Sequence, residues 1–163
     1  MTTLAGTALA LMLSWWQPSP RVEIVAWSLY YGVNPNLALA VQDTETGDLT
    51  EADGTRDRAL WKGNYGRFQV NCTTWRATFG IRACSELFDV HANIRAGVAV
   101  LAYVRTHYAW GERYCRCGGA HHWVAHYCGG TRVDEAAQKY ARSAVRRMRI
   151  KEIEARARFG GQS

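Results

Sequence analysis

Between Asn34 and Gly47 the chain encodes a short helix with both ends specified, and this segment constrains the fold most. Asn34 reads as an N-cap, Pro35 as the first helical residue and Gly47 as the stop. Leu37, Val41 and Glu45 recur at i, i+4 and i+8 and so share one stripe. Such a stripe must be buried, and this one ends in a carboxyl group. Partial burial disfavours the charged form and raises a carboxyl pKa. An acid that keeps its proton near neutral pH can protonate a leaving group. Asp43 turns to another face and Asp48 lies beyond the glycine, so Glu45 is the candidate acid. The plainer alternative is a solvent-facing glutamate at a helix end.

The rest of the chain reads as mainly α. Helices are expected at Leu4–Trp16, Pro20–Tyr31, Pro35–Thr46, Thr73–Phe79, Asp89–Tyr108, Ala120–Tyr127 and Val133–Arg158. The Asp89 helix carries Ile94, Val98, Leu101 and Tyr108 on one face. Thr50 to Gly63 has loop composition, and any sheet should be small and lie between Leu49 and Val70. With 163 residues, 48% hydrophobic content and seven tryptophans, the chain can bury a core and is not disordered.

Three further segments stand out. Tyr65-Gly66-Arg67-Phe68-Gln69-Val70-Asn71 combines a tight-turn glycine, apolar residues and an amide. Phe88-Asp89-Val90-His91-Ala92-Asn93-Ile94-Arg95-Ala96-Gly97 opens the long helix. Ala125-His126-Tyr127-Cys128-Gly129-Gly130 closes a short one. Together with Glu45-Thr46-Gly47 they resemble, in order, the motifs of the lysozyme-like superfamily, closest to Slt-type lytic transglycosylases and goose-type lysozymes. The resemblance covers roughly residues 33–130. Two departures exist: Thr46 stands where the family has serine, and Cys128 where it has asparagine, which weakens a substrate contact.

The resemblance implies a lysozyme-like α-rich domain that cleaves the β-1,4 bond between N-acetylmuramic acid and N-acetylglucosamine. Glu45 would be the catalytic acid and a 1,6-anhydro sugar the product. Gln69 and Tyr127 would border the cleft. Tyr65 and Phe68 would stack on sugar rings or fill the core, the core being the stronger reading for Phe68. No cofactor or metal is expected. A hydrolytic muramidase would need a second carboxylate, for which Asp48, Glu51, Asp53 and Asp57 are candidates by position. A non-catalytic structural piece that binds glycan strands is the alternative outside enzymology.

The division expected is an apolar N-terminal helix (1–19), a catalytic domain (20–131) and a basic C-terminal helix (132–163). Leu4–Trp16 has no charge and is too short to span a bilayer with ease; a signal peptide or an anchor are its other readings. Residues 132–158 hold nine Lys or Arg against four Asp or Glu, in a chain of net charge +6. Contact with an anionic polymer is one reading of that balance and a solvated face the other. Val133, Ala137, Tyr140, Ala144 and Met148 form a stripe that would dock this helix, while its last turns project toward another protein. Peptidoglycan strands and proteins of a virion or envelope-spanning assembly are the expected partners. The expected location is a phage virion acting on the cell wall, with a periplasmic conjugation or secretion protein as alternative. Among the five cysteines, Cys72 with Cys84, and Cys128 with Cys115 or Cys117, are candidate disulfides. A zinc site around Cys115, Cys117, His121, His122 and Cys128 lacks the usual spacing. A thiol nucleophile at Cys128 with His126 or His122 is the runner-up enzyme class.

Overall fold

The computed structural model describes residues 18–47, 53–108 and 122–159. The expectations for Leu4–Trp16, Asp48, Glu51, Cys115, Cys117 and His121 lie outside them. The fold is mainly α with one small sheet.

Helix α1 (Pro20–Tyr31) starts on a proline, and Gly32 ends it at φ 67°, donating to the carbonyls of Ser28 and Leu29. Helix α2 (Pro35–Thr46) is capped by the Asn34 side chain, which accepts from the N–H groups of Asn36 and Leu37. Every residue from Leu37 to Asp43 is buried. A helix covered on all sides is the centre of a body, and α2 packs against α1 and against α6 (Glu135–Phe159). Ala38 and Ala40, both fully buried, let those neighbours approach closely.

The sheet is antiparallel, in the order β1 (Leu60–Trp61), β2 (Asn64–Tyr65), β3 (Val70–Asn71). Trp61 pairs with Asn64 around Lys62 and Gly63, both at positive φ, as a two-residue hairpin turn requires. The sheet ends one residue past the expected limit because Asn71 pairs with Asn64 and then caps α3 (Cys72–Phe79), accepting from Thr74 N–H. A 3-10 segment (Cys84–Phe88) follows, then α4 (Val90–Tyr108). Asp89 is the cap of α4 rather than its first residue, since its carboxylate accepts from Ala92 N–H. Helix α5 (Ala125–Gly129) is shorter than expected within the described residues: Trp123 and Val124 form a turn before it. Asp134 accepts from Ala137 N–H, so α6 begins at Glu135 and not at Val133.

The boundary expected at residue 131 does not separate one body from another. Ala137, Ala141 and Ala144 of α6 are buried in the same core as Ile24, Leu37, Val41, Ile94 and Leu101. Lys151 Nζ lies 2.6 Å from the buried Asp43 carboxylate, and Asn34 donates to Glu152. A basic side chain thus docks the helix where the apolar stripe runs out. Among the described residues no helix is long and apolar enough to cross a membrane.

Cys72 and Cys84 form the expected disulfide, 12 residues apart, and tie α3 to the 3-10 segment. Closing a loop of that length restricts the unfolded chain by about 3 kcal/mol. Replacing both cysteines by alanine is expected to lower the unfolding free energy by that amount in a urea titration; an unchanged midpoint would show the bridge is energetically idle.

Candidate active site

The end of α2 is held in place by its own side chains. Gln42 donates to the carbonyl of Gly47, and the Thr46 hydroxyl donates to the carbonyl of Arg67 at 2.9 Å. That second bond joins the Glu45 helix to the Tyr65–Asn71 loop. The loop in turn hangs on Asn93, which is fully buried. Its Oδ1 accepts from Phe68 N–H, and its Nδ2 donates to the carbonyls of Tyr65 and Leu87. Tyr127 closes the set, its hydroxyl donating to the Phe68 carbonyl at 2.8 Å.

Two glycines make this approach possible. A Cβ on Gly66 would sit 2.4 Å from Asn93 Nδ2, and one on Gly97 would sit 2.3 Å from the Phe68 ring. Gly66 also has φ 66°, where side chains are disfavoured. Phe68 is fully buried and packs on α4, so it belongs to the core. Tyr65 is half-buried, its ring tilted on Phe88. Gln69, half-buried at φ 47°, donates its side-chain amide to Gly66 O and so closes its own turn.

Glu45 is half-buried at the junction of α2, α5 and α6. Tyr140 of α6 donates its hydroxyl to Glu45 Oε1 at 2.6 Å. Burial pushes the Glu45 carboxyl up to about 7, against the Tyr140 hydrogen bond, which favours the charged form. Tyr127 stacks on Tyr140 with ring centroids 6.5 Å apart. Burial, then the nearby Glu45 charge, pushes both phenols well above their usual range, so both remain protonated donors. The arrangement is an acid that holds its proton near neutral pH, oriented by one phenol and flanked by another.

Tyr140 is not legible in the sequence as a site residue. There it is one member of a docking stripe, and its partner lies 95 residues away. Sequence reasoning also misses Arg67, fully buried, whose Nε donates to Asp57 Oδ1 at 2.7 Å and whose second nitrogen reaches Oδ2 at 3.3 Å. Asp57 also accepts from Asp53 N–H. Asp53 caps a turn, accepting from the N–H groups of Arg56 and Thr55, which hold its carboxyl below the usual range. Both candidate bases within the described residues are therefore engaged in building the loop. A further buried carboxylate, Glu23, accepts from Trp27 and lies 2.6 Å from His91; it pins α1 to α4.

The Cys–His alternative does not assemble. Cys128 carries a free thiol, so the expected pairing with Cys115 or Cys117 is not formed. Burial of the sulfur, then the Glu45 and Asp134 carboxylates, push that thiol up, away from the thiolate a nucleophile needs. His126 is buried, bonded to Gly130 O and stacked on Tyr108. His122 accepts from Val124 N–H, and burial pushes its pKa down. Among the described residues no cluster of His, Cys, Asp or Glu could hold a metal ion. No family model, curated protein or solved structure matches the chain.

Proposed function

We propose that the protein cleaves peptidoglycan glycan strands at the bond between N-acetylmuramic acid and N-acetylglucosamine, with Glu45 as general acid. The observation that carries the reading is convergence. Four segments that resemble the lytic transglycosylase motifs, spread from Glu45 to Gly130, are joined through the Thr46–Arg67, Phe68–Asn93 and Phe68–Tyr127 hydrogen bonds around one raised-pKa carboxyl.

In the proposed reaction Glu45 gives its proton to the glycosidic oxygen as the bond to C1 breaks. The resulting carboxylate takes the proton from the muramoyl C6 hydroxyl, whose oxygen closes on C1. A 1,6-anhydro ring forms, no water enters, and Glu45 ends protonated. Among the described candidates, the pairing of Asp57 with Arg67 and the role of Asp53 in its own turn support this route over hydrolysis. An intramolecular hydroxyl needs only positioning. Tyr140 orients the acid, and Tyr127 holds the Phe68 backbone of the neighbouring loop. The proposed setting is a virion, or an envelope-spanning conjugation or secretion apparatus, that opens the wall locally; the Cys72–Cys84 disulfide suits work outside the cytoplasm.

Digested peptidoglycan is expected to yield muropeptides with anhydro-muramic ends, one water lighter than hydrolytic products and resistant to borohydride. Mass spectrometry before and after reduction reads both properties. Reducible muramic ends as the main product would reject the transglycosylase route and point to a water-activating base.

A further inference from the structure

Tyr140, Ala144, Met148 and Lys151 face the body, so by helical periodicity a second face of α6 is turned away from it. Arg142, Val145, Arg146, Arg149, Ile150 and Ile153 line a groove of about 510 Å³ on that side, with His122 joining the lining. Ile150 and Ile153 are 46% and 66% exposed, among the few large apolar side chains so open to solvent. The three arginines are exposed as well, and no described carboxylate forms an ion pair with them. The described lining contains no acidic residue.

We propose that this groove docks an acidic amphipathic helix of another protein. Its apolar residues would seat on Val145, Ile150 and Ile153, and its carboxylates would pair with Arg142, Arg146 and Arg149. Residues 142–153 span roughly 17 Å of helix axis, about three turns of a partner. Anchors at i, i+3, i+4 and i+7 suit an apolar groove of that length. Guanidinium groups pair with carboxylates in bidentate fashion, so the charge specifies the sign of the partner. A second copy would set these arginines against their own kind. An anionic lipid surface is the competing occupant, and the vesicle arm of the test decides between the two. The inference does not rest on the glycosidase reading.

The test uses the full-length chain and a labelled synthetic peptide helix with leucines at i, i+3, i+4 and i+7, flanked by glutamates. Fluorescence anisotropy should show saturable binding that a scrambled peptide and a lysine-for-glutamate peptide do not share. Ile153→Asp and Arg149→Glu should each weaken binding by at least about tenfold, as loss of an interface anchor does. Both positions are exposed, so circular dichroism and the unfolding midpoint should stay unchanged. Arg149→Glu should regain affinity for the lysine peptide. Glu45→Gln should bind like wild type, which separates this surface from the candidate acid. Equal binding of the scrambled peptide, or none of the acidic one, would overturn the proposal. So would Ile153-dependent binding to phosphatidylglycerol vesicles in place of the peptide, a dimer dissolved by Ile153→Asp, or peptide binding seen only after removal of residues 1–17.

Discussion

Replacing Glu45 by glutamine is expected to slow the clearing of purified cell walls by on the order of a hundredfold or more. Glutamine keeps the size of the side chain and can still accept from Tyr140, but it has no proton to deliver. Stability should move the other way. The folded-state pKa of Glu45, about 7, lies above the ordinary 4.5, so the native state holds the extra proton. Stability due to that proton is fully present below pH 4.5 and is lost as pH rises through about 7. Glutamine does not titrate, so the variant should gain stability relative to wild type across that window. An inactive variant that also unfolds more readily at pH 8 would point to misfolding instead of loss of the acid. A variant that clears walls at wild-type rate would remove Glu45 from the mechanism.

The largest effect on stability is expected at Arg67. Its guanidinium is fully buried and meets a buried carboxylate. Arg67→Met leaves the Asp57 charge without that partner, which costs about 3–5 kcal/mol. Urea unfolding should show a matching fall in midpoint. The double variant Arg67→Met with Asp57→Leu should recover much of the loss, since an apolar pair removes the orphaned charge. A single variant within about 1 kcal/mol of wild type would mean that water reaches the pair and that it behaves as a surface contact. Because the Arg67 carbonyl accepts from Thr46, loosening of this loop should reach the Glu45 helix.

The features of the fold that depend on local chemistry are legible in the sequence. The bounds of α1 and α2 follow from Pro20, Gly32, Asn34, Pro35 and Gly47, and both helices span the expected residues. Phe68 in the core and the Cys72–Cys84 bridge follow from residue type and spacing. Glu45 stands out because a stripe of three positions on one helix is a local property. What escapes depends on partners distant in the chain. A fully buried arginine contradicts the usual exposure of its type, and its described carboxylate partner, Asp57, lies ten residues earlier on a folded loop. Asn93 is legible as part of a motif, but its role shows only when three backbone groups of two segments are seen to converge on its amide. The Gln69 amide cannot be known to close its own turn without the positive φ of that residue. The C-terminal helix reads as a separate basic unit because charge dominates its composition. Its docking uses Lys151 on Asp43, a pairing that periodicity does not reveal.

Everything proposed for the site depends on Glu45 keeping its proton near neutral pH while Tyr140 holds it. With carboxyl-labelled glutamate, the Glu45 carbon can be identified by its loss in Glu45→Gln and followed by NMR from about pH 3 to about pH 9, a range that brackets both the ordinary and the raised carboxyl value. The expected midpoint in the wild type is about 7. In Tyr140→Phe it should lie higher, because the hydrogen bond that favoured the carboxylate is gone, and the alkaline limb of wall clearing should shift with it. A wild-type midpoint near 4.5, the ordinary glutamate value, would contradict the account.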